Sequence, residues 1–284
     1  MITVENIAVL KDQVARLRQG GKRVALVPTM GNLHEGHLRL MHEARQYAQV
    51  VVASIYVNPL QFGKNEDFNS YPRTPGHDKV SLLSARVDVL FKPTEMEMYP
   101  RGAAAQTFVE VPGFSEELCG AFRPGHFRGV ATAVYRLFSL VKPDVALFGK
   151  KDYQQWMLIR QMAADLDLPV EIIGVDIVRE PDGLALSSRN QYLTPDERQV
   201  APRLYQALGS LRDRVVQQAA VTPEAEESAM TELETNGFKP EYVAVRRRQD
   251  LKPPTAQDRQ LVVLAAAWLG RTRLIDNLEF ELKP

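Results

Sequence analysis

The chain has 284 residues, 45% hydrophobic and 25% charged, a balance that allows a real buried core and, by length, about two domains. Thirty-five basic residues face thirty-five acidic ones, so the overall charge gives no reason to expect nucleic acid or a membrane surface as partner. Cys119 is the only cysteine, which excludes an intrachain disulfide and cysteine-cluster zinc sites.

The opening MITVENIAVLKDQ lacks the basic-then-apolar pattern of a secretory leader. From there, short runs rich in β-branched residues alternate with helical patterns. RVALVP (23–28), VVVASIYV (50–57), VDVLFKP (87–93), DVALFG (144–149) and VEIIGVDIV (170–178) are nearly continuous in apolarity, as strands covered on both faces are. Between them, residues 36–48, 76–86, 129–141 and 152–166 carry apolar residues near helical spacing. The alternation predicts an α/β, Rossmann-like, doubly wound parallel sheet over residues 1–179.

The texture changes near residue 180, in the turn-prone REPDG. TPDERQVAPRLYQALGSLRDRVVQQ opens on a threonine N-cap candidate and reads as one helix, with acids early and bases late. A second helix is expected over 222–236, then strands in YVAVRR, RQLVVLAAAWLG and TRLIDNLEFEL. Residues 180–284 are thus expected to form a smaller α+β domain. The longest apolar run, at 261–269, is far short of the ~20 residues of a membrane span; a soluble cytoplasmic protein is expected.

Ligands of open α/β sheets collect beyond the carboxyl ends of the strands. Four polar loops follow predicted strands there: TMGNLHEGH (29–37), NPLQF (58–62), KKDYQQ (150–155) and REPDGLALSSRN (179–190). His34 and His37 are three apart across a strand-to-helix turn, unlike the i, i+4 pair of a zinc protease helix. Gly31 and Gly36 have P-loop spacing, but His37-Leu38 replaces the Lys-Ser/Thr that grips phosphate and magnesium. Glycines that merely turn the chain beside solvated histidines are one reading. A phosphate site is the stronger one, because free N–H groups, the helix dipole and two imidazoles all favour an anion.

The other loops are ambiguous singly. Lys150 and Lys151 stand where a strand gives way to a helix, and adjacent lysines are also an ordinary solvated pair. LSSRN (186–190) offers two hydroxyls, a guanidinium and an amide, or simply a capped turn. RPGHFRGV (123–130) reads as a positioning loop. Asn58 and Gln61 are neutral donor–acceptors suited to a hydroxyl or carboxylate.

Taken in order and spacing, PTMGNLHEGH, NPLQF, YPRT, RPGHFRGV, FGKKDYQQ and LSSRN resemble the pantothenate synthetase (pantoate–β-alanine ligase) family. The resemblance runs from about Lys22 to Tyr192 and more loosely into VLAAAWLGRTRLIDN. The histidine motif resembles the H-x-G-H of the nucleotidylyltransferase superfamily, and LSSR stands at that superfamily's second phosphate motif.

The resemblance implies ATP-dependent condensation of pantoate with β-alanine through pantoyl adenylate, with release of pyrophosphate and AMP. It assigns Met30, Gly31, Asn32, Leu33, His34, Glu35, Gly36 and His37 to the ATP site, with His37 as proton donor. Gly149, Lys150, Lys151, Asp152, Val178, Leu186, Ser187, Ser188 and Arg189 would complete that site, Asp152 facing the ribose. His34 and Lys151 join His37 in the catalytic set. Gln61 and Gln155 would hold pantoate, and Gln61 also β-alanine. Mg²⁺ is the implied cofactor, bound mainly through ATP phosphates with protein ligands unassigned, and a homodimer is implied.

Pantoate's carboxylate is already ionised at neutral pH, so the first step needs alignment of two anions and stabilisation of the leaving pyrophosphate more than it needs a base. Three departures stand out: Lys150 where the family favours a non-lysine residue, Cys119 at a commonly acidic position, and Arg247 where aspartate is frequent. H-x-G-H alone would also fit a nucleotidylyltransferase that releases its nucleotidyl product, or a decayed ATP-binding regulatory module. The two glutamines argue against the first, and retention of both histidines, Lys151 and Arg189 against the second. The Pro-Asp-Gly before LSSR suggests a mobile hinge and lid over residues 179–190.

Overall fold

A computed structural model describes residues 1–64 and 66–283. The chain divides into two compact units, residues 1–150 with 154–176, and residues 151–153 with 177–284.

The first unit is built on strands β1 (Ile2–Val4), β2 (Val24–Thr29), β3 (Val50–Ile55), β4 (Val89–Phe91), β5 (Val145–Gly149) and β6 (Glu171–Val175), interleaved with helices α1 (Ile7–Leu17), α2 (Glu35–Tyr47), α3 (Pro75–Ser84), α4 (Glu95–Met98), α5 (Cys119–Phe122), α6 (His126–Val141) and α7 (Tyr153–Asp165). The strands form one sheet in the order β1-β4-β3-β2-β5-β6, and every pairing is parallel. The doubly wound α/β expectation therefore holds. Val24, Ala25, Leu26 and Val27 of β2 and Val51, Val52 and Ala53 of β3 are fully enclosed, which is why these runs read as continuous apolarity with no period of two. Helix α2 lays Leu40, Met41 and Ala44 on the same core. Strands β3 and β4 lie on one side of β2 and β5 on the other. The winding reverses between β2 and β5, where ligands of such sheets bind.

Four elements of this unit, β1, α1, α4 and α5, lie outside those expected from the sequence. Strand β1 has only three residues and pairs with β4, and α1 buries just Leu10 and Val14.

The second unit holds α8 (Pro195–Val200), α9 (Arg203–Gln218), α10 (Pro223–Thr235) and an antiparallel sheet of β7 (Phe238–Arg247), β8 (Gln260–Leu269) and β9 (Thr272–Glu281), in that order. The single helix expected from Thr194 onward is two. Thr194 and Glu197 close a reciprocal capping box at the start of α8, and the chain breaks at Pro202, the residue preceding α9. Proline has no N–H for the i−4 carbonyl and its ring clashes there. Leu204, Leu208, Leu211 and Val215 of α9 pack with Val243, Val245, Leu261, Val263 and Ala265 of the sheet. Among the described residues no helix is long and apolar enough to cross a membrane.

Candidate active site

In the first unit the chain leaves β2 at Thr29 and enters α2 at Glu35 through a loop whose shape is set by one buried carboxylate. Asp78 of α3, 2% exposed, accepts the backbone N–H of Asn32 at 3.0 Å and of Leu33 at 2.8 Å, and the Thr74 hydroxyl at 3.0 Å. Gly31 sits at φ +84°, and a Cβ there would lie 3.0 Å from the Asp78 carboxylate and 3.0 Å from Ile55; only glycine combines that backbone with that clearance. Thr29 Oγ1 accepts the Gly31 N–H.

His34 is the N-cap of α2. Its Nδ1 accepts the Gly36 N–H at 3.1 Å, while His37 Nδ1 accepts the His34 N–H at 3.3 Å, a capping box made of two imidazoles. Their ring centroids are 4.1 Å apart. A ring nitrogen that accepts a backbone N–H leaves the proton of the neutral imidazole on the other one, so both rings offer Nε2–H as a donor. His37 is half-buried in the first turn of α2, inside the helix and not in the preceding loop.

This alters the expected chemistry of the loop. The N–H groups of Gly31, Asn32, Leu33, His34 and Gly36 already have protein acceptors. The backbone there is not an open cradle of donors.

Gln61 ends a 3-10 turn over Pro59–Gln61 that Asn58 caps. Asn58 is 2% exposed and fully engaged: its amide nitrogen donates to Gln61 Oε1 and the Gly129 carbonyl, both at 3.1 Å, and its oxygen accepts from Tyr99 Oη at 2.8 Å and the Leu60 N–H at 3.3 Å. It is thus an internal brace, not the ligand-facing amide that its sequence context suggested. Gln61 Oε1 receives the Asn58 amide, and Gln61 Nε2 donates to Met30 Sδ at 3.2 Å. Gly129 of α6 lies so close that a Cβ would be 2.2 Å from the Leu60 carbonyl oxygen. Burial pushes the Tyr99 and Tyr56 hydroxyls well above the usual phenol range.

Of the remaining expected residues in this unit, Gly149 closes β5 and Gln155 is half-buried in the first turn of α7. Lys150 donates to Asp176 at 2.8 Å and lies 5.8 Å from the centre of the Trp156 ring. That contact gives the added lysine a structural partner. Cys119 is buried, and its N–H donates to Gln154 Oε1.

The second unit carries Lys151, Asp152, Val178 and Leu186 to Arg189. The Lys151 carbonyl accepts from Asn277 Nδ2 at 3.0 Å, and its charge acts on the buried Asp276 carboxyl. Asp152 is exposed. Leu186 N–H donates to the Val178 carbonyl at 3.0 Å, and Ser187 Oγ caps a 3-10 turn over Ser188–Tyr192. The start of the stretch expected to be a hinge is tied to its own unit. Arg179 pairs through both terminal nitrogens with buried Asp276, at 2.6 and 2.8 Å, and stacks 3.7 Å from the Tyr205 ring centre. Burial raises the Asp276 carboxyl and the Arg179 guanidinium opposes it. Arg247, the third departure, holds Asp250 in a local pair.

Sequence reasoning missed Asp78 and Tyr99. Thr74-Pro75 marks a helix start, yet nothing in the string says that the carboxylate four residues on turns inward. Among the described residues no group of three or more His, Cys, Asp or Glu could hold a metal ion.

The fold and the site define a doubly wound α/β protein whose ligand edge presents paired imidazole donors and an oriented amide. The family model for pantoate-beta-alanine ligase matches residues 2–279, and the chain belongs to that family. It is 56% identical over 284 residues to the pantothenate synthetase of Shewanella amazonensis, covering 99% of each chain. It is 52% identical over 282 residues to that of Pseudomonas fluorescens strain Pf0-1, again covering 99% of each. The solved pantothenate synthetase of Thermus thermophilus superposes with a TM-score of 0.91 at 45% identity, with 100% of both chains covered. A Francisella tularensis pantoate-beta-alanine ligase, solved in complex with beta-gamma ATP and beta-alanine, gives 0.83 at 34% identity, covering 98% of this chain and 97% of that one.

Proposed function

We propose that this protein joins pantoate to β-alanine at the expense of ATP, in two steps. A pantoate carboxylate oxygen attacks the α-phosphorus of ATP, forming pantoyl adenylate as the bond to pyrophosphate breaks. The β-alanine amine then attacks the acyl carbon, and AMP leaves as the amide forms and the amine gives up a proton. The observation that carries the reading is the imidazole capping box of His34 and His37 in a chain of this family. It orients both rings through Nδ1, which leaves Nε2 as the nitrogen suited to charge developing on a leaving phosphate.

Gln61, with its oxygen tied to Asn58 and its Nε2 against the soft Met30 Sδ, suits an oxygen of pantoate, and the family motif adds Gln155 to pantoate and Gln61 to β-alanine. Met30 to His37, Gly149 to Asp152, Val178 and Leu186 to Arg189 are assigned to ATP by motif position, Lys151 and Arg189 supplying positive charge. The family resemblance implies Mg²⁺ as cofactor, carried mainly by the nucleotide's own phosphate oxygens. Bound in that way, Mg²⁺ neutralises phosphate charge. A homodimer working in the cytoplasm belongs to the same proposal.

The decisive measurement is exchange of labelled pyrophosphate into ATP in the absence of β-alanine. It should require pantoate and Mg²⁺, and AMP should be the nucleotide released once β-alanine is added. Orthophosphate and ADP would instead indicate an acyl-phosphate ligase, and no exchange with or without substrates would indicate a binding module.

A further inference from the structure

The side-chain amide of Gln61 is oriented by Asn58, but its main chain is held from the opposite direction by residues that no part of the reaction uses. His126, the first residue of α6, has Nδ1 2.8 Å from the Gln61 carbonyl oxygen and Nε2 3.0 Å from Arg123 Nη1. A guanidinium has only donors, so Nε2 must accept from Arg123. The proton of the neutral ring is then on Nδ1, where it donates to the Gln61 carbonyl. Arg123 is itself fixed by Glu66 through a two-pronged pair at 2.7 and 2.5 Å, and its Nη2 also reaches the Gln61 carbonyl at 3.4 Å. Arg123 is 15% exposed and Glu66 23%, so the pair is largely withdrawn from water, where charge-assisted bonds hold geometry best.

We infer that Glu66, Arg123 and His126 form a clamp on the Gln61 carbonyl, and that His126 is a positioning residue for the acid substrate. The inference rests on the reading of Gln61 as a pantoate ligand. The 3-10 turn that carries Gln61 is three residues long and is backed by Gly129 at contact distance. A carbonyl at the end of so short a turn controls the direction of the side chain on the same residue. Releasing the clamp lets the amide drift, and a displacement of an ångström at a substrate-orienting group is enough to cost turnover heavily. The histidines of the capping box follow a different loop, which Asp78 holds through the Asn32 and Leu33 N–H groups, so the ATP-facing donors should be untouched.

The experiment measures pantoate-dependent pyrophosphate exchange for the full chain and for His126→Phe, His126→Asn and Glu66→Gln, with pantoate and ATP varied separately. Phenylalanine keeps the ring and removes both bonds. Asparagine places an amide N–H where Nδ1–H stands. The Michaelis constant for pantoate should rise about tenfold in His126→Phe, as loss of one orienting hydrogen bond allows, while that for ATP stays within about twofold. Asparagine should recover most of the loss, and Glu66→Gln should move pantoate in the same direction as phenylalanine. Equal losses for ATP and pantoate, an unchanged pantoate constant, or asparagine no better than phenylalanine would overturn the clamp. Should His126→Phe not fold, the ATP-to-pantoate split in Glu66→Gln decides alone. An unmodified chain that shows no pantoate-dependent exchange would overturn the reading of the function instead, whatever the variants do.

Discussion

Replacing Asp78 by asparagine tests whether a single carboxylate shapes the histidine loop. The carboxylate accepts two backbone N–H groups and one hydroxyl, at 3.0, 2.8 and 3.0 Å. Hydrogen bonds to a charged acceptor contribute about 1.5–3 kcal/mol each. Asparagine can turn its oxygen toward only one of the two N–H groups, and its own NH₂ then faces the other, donor against donor. One strong bond is lost and one N–H is left buried and unpaired, so the expected destabilisation is about 3–4 kcal/mol. A domain with a usual stability of about 5–15 kcal/mol survives that. Thr74→Val removes the hydroxyl bond to the same carboxylate and should cost about 1.5–3 kcal/mol. Denaturant midpoints give the stabilities, and pantoate-dependent pyrophosphate exchange gives the function of the loop. The exchange rate should fall further in Asp78→Asn than the unfolded fraction accounts for, because His34 and His37 follow the two N–H groups that come loose. An asparagine variant with an unchanged midpoint and full exchange would refute the claim that Asp78 organises this loop.

Other variants probe separate links. Gly129→Ala drives a methyl to 2.2 Å from the Leu60 carbonyl oxygen and should cost about 3 kcal/mol, read as a lowered thermal midpoint; a neutral result would mean that α6 and the Gln61 turn do not meet as described. Tyr56 has a buried hydroxyl without a hydrogen-bond partner and is raised far above the phenol range by burial, so Tyr56→Phe should leave stability at pH 7 equal or higher. A raised folded-state value means stability complete below the unfolded phenol's pKa of about 10 and lost as the pH climbs above it; the phenylalanine variant should lose less on that limb, and identical alkaline melting curves would contradict this. His37→Ala should lower adenylate formation by about 10²–10⁴-fold, the range of general acid catalysis, against a capping loss of about 1 kcal/mol; near-normal exchange would remove His37 from the chemistry. Lys151→Ala should slow exchange more than Lys150→Ala, because Lys150 is occupied by Asp176; the reverse ranking in steady-state kinetics would exchange their roles.

How far the sequence could be read depended on what each feature needs from distant residues. Strands β2, β3 and β5 were legible because burial on both faces writes itself as unbroken valine, alanine and leucine. Strand β1, three residues long, carries no period at all and exists through its pairing with β4. The break before α9 was written in Pro202 and overridden by an apolar pattern that spans it. In the site, His34, His37 and Gln61 stood out because their loops follow strands. Asp78, Glu66, Tyr99 and the inward use of Asn58 did not, since each acts through a partner tens of residues away. A carboxylate on a helix is a surface residue by default, and nothing local marks the one whose position turns it toward two backbone N–H groups.

The same distinction decides how loss of activity in this protein should be interpreted. His34 and His37 cap α2 through Nδ1, and the proposed function gives the Nε2 side of each ring a second task, so each imidazole would hold up a helix with one nitrogen and serve the ligand with the other. Alanine at either position removes both functions at once and cannot apportion the effect. Asparagine divides them, because its side-chain oxygen accepts a backbone N–H at an N-cap as well as any residue does while its reach ends short of the Nε2 position. At position 34, where the ring nitrogen caps Gly36, His34→Asn should therefore keep the midpoint of the unmodified chain and still lose exchange activity. Equal activity in a stable His34→Asn protein would make the first histidine a cap and nothing more. A fall in stability as large as that of His34→Ala would mean that the observed Nδ1 contact does not hold the helix.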